Sequence, residues 1–158
     1  MSRSMTPVIP TLEHLMRVEV EIAPPLMVGS VPTGERRIIP ITGGRFDGEK
    51  LRGEVIPGGA DWQLVQAGGS AILEARYTLR TDEGALIFIT NRGFRTGSPE
   101  VLARIMAGER VEPSEYYFRA APVFETGAER YRWLNYTVAV CSAVRTLETV
   151  LLDFYQVS

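Results

Sequence analysis

Between Gly43 and Trp62 the chain reads GGRFDGEKLRGEVIPGGADW, with six glycines and one proline in twenty residues, broken by short apolar runs. Glycine is favoured where the backbone takes a positive φ or passes close to another chain segment. The pairs Gly43-Gly44 and Gly58-Gly59 therefore predict two sharp turns at one rim of the fold. Between them residues 51–56 read as a strand, which Pro57 would end because it has no N–H for a ladder. Asp61 and Trp62 follow at once, a carboxylate beside a large ring, at the start of a strand over residues 61–66. They either line the mouth of a pocket or close a turn and fill the core.

Alternation governs the remaining strands. Over residues 14–22, Met16, Val18, Val20 and Ile22 share one face and Arg17, Glu19 and Glu21 the other, the period-2 pattern of a half-buried strand. His14 falls in register with the apolar set, and Pro24-Pro25 end the run. Residues 34–42 form a second strand, with Arg36 and Arg37 on opposite faces, so at most one of them can face a pocket. Residues 71–80 place Leu73, Ala75, Tyr77 and Leu79 on one side and Ile72, Glu74, Arg76 and Thr78 on the other. The turn Asp82-Glu83-Gly84 returns the chain into residues 85–91, giving a hairpin. Glu74 and Arg76 are either an exposed ion pair or part of a cavity wall. Residues 116–121, 134–144 and 150–157 read as further strands, with Tyr117 and Arg119 sharing a side and Trp133 sharing one with Asn135.

One helix is readable, over residues 98–108. Ser98 is a good N-cap, Pro99 fits the first turn, Glu100 complements the helix dipole and Gly108 supplies the stop. The stripe of Val101, Leu102, Ile105 and Met106 would cover a barrel face or an open end. About nine strands and one helix predict an all-β fold, a single antiparallel β-barrel, with a β-sandwich as the alternative. One domain over residues 1–158 is expected, with residues 1–12 irregular or flexible.

The segments GGRFDG, LRGEVIPGGADW, LEARYTLRTDEGALIFITNRG, SEYYFRAAPVFETG and YRWLN occur in that order, and together they resemble the DUF3237 or UPF0311 family of bacterial and fungal proteins. The resemblance runs from about residue 15 to the end. It implies a single antiparallel β-barrel, and it hints at ring closure without a cofactor, the role of some relatives in biosynthetic pathways. It also favours a cavity wall for Glu74 and Arg76, since the family normally has an acid at the first position and Arg76 matches outright.

Composition removes most other chemistry. A net charge of −2 with no basic cluster among aromatics argues against nucleic acid. No apolar run approaches the roughly 20 residues of a membrane span, and the first residues lack a signal-peptide core, so a cytoplasmic protein is expected. His14, Cys141 and Lys50 are each the only residue of their kind. An intrachain disulfide is thus excluded, and neither a His-cluster metal site nor a redox cofactor is expected. There is no GK[ST] phosphate loop, no GxSxG and no HExxH.

What remains suits proton transfer: a buried acid to move the proton, and an arginine or tyrosine to steady an oxyanion. Glu74 and Asp61 are the candidate catalytic acids, with Arg76, Trp62, Tyr117, Arg119, Trp133 and Asn135 as substrate-binding groups and no metal. The expected ligand is a small oxygenated or aromatic molecule. Two functions fit, a cofactor-independent cyclase, isomerase or lyase and a non-catalytic binding barrel. A buried acid without an arginine partner would favour the enzyme. A homo-oligomer is expected as well, because the apolar outer faces of barrels often need covering.

Overall fold

A computed structural model describes residues 4–158. The expectation for the N-terminal stretch falls partly on residues 1–3, outside the described residues; residues 4–11 carry no regular secondary structure. Nine antiparallel strands follow: β1 (Leu12–Ile22), β2 (Leu26–Val31), β3 (Gly34–Asp47), β4 (Arg52–Val65), β5 (Ala71–Thr81), β6 (Leu86–Thr96), β7 (Tyr117–Glu125), β8 (Ala139–Arg145) and β9 (Thr149–Val157). Their spatial order is β1-β9-β8-β7-β6-β5-β4-β3-β2, and a further pairing of β1 with β3 closes eight of them into a barrel. β2 is the extra strand. It lies beside the first part of β3, through pairs such as Leu26 with Ile38, while the later part of β3 pairs with β1, Phe46 opposite Val18.

The glycine pairs are not turns. β3 and β4 each run unbroken for 14 residues, and the turn between them falls at Gly48–Lys50. Both glycine pairs sit at shifts of register, β-bulges that bend a long strand hard enough to close a barrel. Gly44 has φ +135°, and a Cβ there would lie 2.0 Å from the Glu19 carbonyl oxygen. Gly58 has φ +116°, and a Cβ on Gly59 would meet the Arg76 carbonyl oxygen at 2.4 Å. Pro57 does not end the strand, because it lies inside the bulge between Ile56 and Ala60, where no ladder bond is needed from it.

Two other expectations change. Residues 134–138 are not strand: Glu129–Tyr136 is a 3-10 segment, pinned by the Asn135 side chain, which bonds Thr126 and the Arg132 carbonyl. β2 escapes the alternation rule because it buries neither face; Leu26, Met27 and Val28 are all exposed. The expected number of strands agrees with the structure only because one strand was split and another missed.

The helix α1 (Pro99–Met106) forms as expected. Ser98 accepts from the Val101 N–H at 3.2 Å, and Gly108 ends the helix at φ +79°. α1 lies at the barrel end that also carries the β1–β2 link and the β8–β9 turn, called here the upper end: Leu102 packs on Gly69 after β4, and Gly108 on Leu147 after β8. The lower end is sealed by side chains. Met16, Phe46, Leu79, Ile87, Leu134 and Phe154 are each no more than 2% exposed.

Candidate functional site

Strand parity decides which side chains enter the barrel. Leu73, Tyr77 and Leu79 of β5 are buried, so Ala75 also points inward, and its neighbours across the sheet are Asp61 on β4 and Asn91 on β6. The same parity brings in Gln63 opposite Arg37, Arg95 opposite Ala71, and Arg145 opposite Val150. These groups gather towards the upper end around a cavity of about 60 Å³, whose other walls are apolar: Val20, Ile39, Ile41, Leu73, Phe118 and Leu152 among them. Ile22 and Arg145 border both this cavity and a groove of about 670 Å³ on the upper end, flanked by Pro24, Pro25, Met106 and Thr146–Thr149.

Asp61 is held firmly without being neutralised. Its Oδ1 accepts from the Glu74 backbone N–H at 2.9 Å and its Oδ2 from Gln63 Nε2 at 3.1 Å. Gln63 in turn accepts from Arg37 Nη2 through its Oε1, and Arg37 Nη1 rests on Met106 Sδ at 3.3 Å. Among the described residues no guanidinium pairs directly with Asp61. Burial raises its carboxyl above the ordinary range, and the two hydrogen bonds and the charges of Arg95 and Arg145 only partly oppose that. The accessible surface that Asp61 keeps faces the cavity.

The positive groups are unusual in the opposite sense. Arg95 is 2% exposed, and among the described residues its side chain makes neither a hydrogen bond nor an ion pair; its guanidinium lies 5.7 Å from the centre of the Phe118 ring. Burial, reinforced by the charges of Arg145 and Arg37, brings Arg95 down to about 10. Burial likewise lowers Arg37 and Arg145. Among the described residues the Tyr77 hydroxyl, Asn91 Oδ1 and Arg37 Nε also lack partners. Cys141, pushed up to about 11 by burial, is an inert thiol near Asn91.

Of the expected site residues, only Asp61 reaches this cavity. Glu74 and Arg76 are on the outer face of β5, and the expectation that they line the cavity is corrected by the parity that turns Leu73 and Tyr77 inward. Glu74 Oε1 accepts from Arg76 and from Arg92, each at 2.9 Å, and the Arg92 bond leads in holding it below the usual carboxylate range. Trp62 also faces outward: Arg76 lies 6.0 Å from its ring, and Arg36 donates to its carbonyl at 2.9 Å. Tyr117 and Arg119 stack 5.4 Å apart on the outer face of β7. Trp133, with Lys50 at 5.1 Å, and Asn135 belong to the 3-10 segment at the lower end. His14 is outside too, bonded to Asp153 at 2.9 Å after a bulge at Leu15 breaks its register with the apolar set.

Sequence reasoning overlooked Gln63, Asn91, Arg95 and Arg145. A signal for Asn91 did exist, because it continues the alternation of Ile87 and Ile89 and so sits where an apolar residue belongs. Arg145 continues Ala139, Cys141 and Ala143 in the same way.

An eight-stranded closed barrel with one extra strand and a polar pocket at one end is the class of protein these observations define. The chain belongs to the DUF3237 family, described as proteins of unknown function, whose model matches residues 10–157. A UPF0311 protein of Clostridium acetobutylicum is 40% identical over 147 residues, which cover 92% of this chain and 93% of that one. The crystal structure of a conserved protein of unknown function from Rhodopseudomonas palustris superposes with TM-score 0.91 at 39% identity, covering 97% of this chain and all of the other. A β-barrel-like protein from Acinetobacter baumannii gives 0.87 at 44% identity, covering 98% of this chain and 100% of its own. A more distant relative, 25% identical over 151 residues that cover 96% of this chain and 86% of its own, is a hydroalkoxylation enzyme of Penicillium herquei.

Proposed function

We propose that the chain is an enzyme of proton transfer, acting on a small oxygenated compound bound at the upper end of the barrel, with Asp61 as its acid and base. The observation that carries this reading is Asp61 itself: a carboxyl enclosed by protein, raised by burial, fixed by two donors and, among the described residues, without a direct arginine partner. Such a group is protonated at a higher pH than ordinary carboxylates, the direction of shift that suits a carboxyl for giving and taking a proton.

Hydroalkoxylation, the activity of the Penicillium herquei relative, adds a hydroxyl O–H across a carbon–carbon double bond. The step is redox-neutral and balances on one carboxyl group. Asp61 gives its proton to one alkene carbon, the hydroxyl oxygen bonds to the other, and the hydroxyl proton returns to the Asp61 carboxylate. Run backwards this is an elimination, and with proton return to a different carbon it is an isomerisation. The unpartnered Tyr77 hydroxyl and the nearby guanidiniums would hold the reacting oxygen. The reaction class is thus a cyclase, isomerase or lyase that needs neither metal nor redox group.

The test is turnover of 2-allylphenol and its ring-carboxylated analogues in D₂O, followed by NMR for ring ether formation and deuterium at the protonated carbon. Wild type should turn over at least one of them. Asp61→Asn should lose about 10²–10⁴-fold in rate, the usual share of one acid–base group, while still binding the compound. Binding without turnover or exchange in wild type would instead identify a carrier barrel.

A further inference from the structure

The charge inside the upper end does not balance. Arg37, Arg95 and Arg145 all point inward, against the single carboxyl of Asp61, which burial pushes towards its neutral form. None of the three arginines belongs to an ion pair among the described residues; those pairs lie elsewhere, such as Arg17 with Asp153 and Arg76 with Glu74. Arg37 at least donates from Nη1 to Met106 and from Nη2 to Gln63, although its Nε has no partner among the described residues, and Arg145 donates from Nε to the Thr146 carbonyl at 2.9 Å. Arg95, sealed at 2% exposure, has no side-chain hydrogen bond or ion pair among the described residues, and its Nε is buried without a partner. A buried guanidinium normally meets an acceptor, because leaving one unpaired in low dielectric is costly.

We propose that the cavity takes the ionised carboxylate of a small, otherwise apolar organic acid, seated on Arg95 and Arg145. Guanidinium is a planar fork that matches the two oxygens of a carboxylate. The cavity, about 60 Å³, is large enough to admit a carboxyl group. The body of the acid would meet Ile22, Ile39 and Val150 and extend into the groove beyond Arg145. This deepens the proton-transfer reading by naming the substrate's class: an acid whose carboxylate anchors it while Asp61 acts on the adjoining carbons.

The test is calorimetric titration with benzoate and cinnamate, each against its primary amide, a nearly isosteric neutral compound, with inorganic phosphate as a competitor. Wild type should bind at least one carboxylate about ten-fold or more tightly than its amide, the margin expected of a charge-assisted pair. Arg145→Met and Arg95→Met should erase that preference. Either variant should also melt higher than wild type when free of ligand at low salt, which shows that the fold survives and that an unpaired charge was removed. Amides binding as well as carboxylates, no preference in any pair, or phosphate displacing the acids at equal concentration would each overturn the proposal. Carboxylate binding without turnover would leave it standing and sink the enzyme reading. Turnover of neutral 2-allylphenol with no carboxylate preference would do the reverse.

Discussion

The two ends of the barrel are built on opposite principles from the same alternating strands. At the lower end Phe46, Leu79, Ile87, Leu134 and Phe154 are buried together, the 3-10 segment supplies Leu134, and the interior there is mostly apolar. At the upper end the same inward parity delivers Arg37, Asp61, Gln63, Asn91, Arg95 and Arg145. The lower end gains stability from burial; the upper end gives some up, holding guanidinium N–H groups, one hydroxyl and one amide oxygen that have no partner among the described residues. Proteins accept that loss where binding or chemistry needs it. A barrel sealed at one end and polar at the other has a direction, and the proposed chemistry belongs to the unsatisfied half.

The sharpest way to break that contrast is to mutate both halves. Phe154→Ala removes a fully buried ring from the lower plug and should cost about 3–5 kcal/mol, measured by urea unfolding. Arg95→Met in the upper half should move stability the other way. If both changes destabilise to a similar degree, the two ends are equivalent and the polar end is ordinary core.

A smaller effect separates the two by pH. Asp61 has a raised carboxyl in the folded state, so its contribution is favourable below the ordinary carboxylate pKa and is lost as pH rises through its own raised value. Asp153, on the outer face with Arg17 at 2.7 Å and His14 at 2.9 Å, is lowered chiefly by its Arg17 hydrogen bond. Its contribution is present above the ordinary value and is lost as pH falls through the lowered one. Relative to wild type, Asp61→Asn should therefore grow more stable from acid towards neutral pH, and Asp153→Asn less stable. The slope is the readout, because an asparagine at position 61 also disturbs the bond to Gln63 by a constant amount. Parallel slopes for the two variants would remove the argument that Asp61 is desolvated.

The fold class was legible because alternation is local: Met16 to Ile22 and Leu73 to Leu79 announce half-buried strands whatever lies beside them. The helix was legible for the same reason, since Ser98, Pro99 and Gly108 act within a turn of their own positions. The glycine pairs were misread because turns and bulges draw on the same freedom of φ. What distinguishes them is a neighbour far away in sequence, the Glu19 carbonyl over Gly44 or the Arg76 carbonyl over Gly59. The site divided along a similar line. Asp61 was recognisable as a candidate, but alternation sorts residues into two faces without saying which is inside. Treating mid-strand charges as the lining of a wet interior turned Glu74 and Arg76 the wrong way. Arg95 and Arg145 were hidden because each is one charged residue near the end of an apolar set.

Glu74 supplies the finest test, because it touches the site from outside. Its backbone N–H donates to Asp61 Oδ1 at 2.9 Å, while its carboxylate lies on the other side of the sheet between Arg76 and Arg92. Glu74→Gln keeps the backbone donor and removes only the outer charge. The exposed pairs it breaks are worth about 0–1 kcal/mol in total, screened further by salt. Stability should fall by no more than that, and turnover should stay within about two-fold of wild type, against the losses of 10²-fold or more expected of an acid–base group at Asp61. The comparison is clean because the two carboxylates share one hydrogen-bonded segment and differ in the face they occupy. If Glu74→Gln instead abolishes turnover while Asp61→Asn spares it, the reaction takes place on the outer wall, beside Trp62, Arg76 and Arg92, and the polar end of the barrel has some other role.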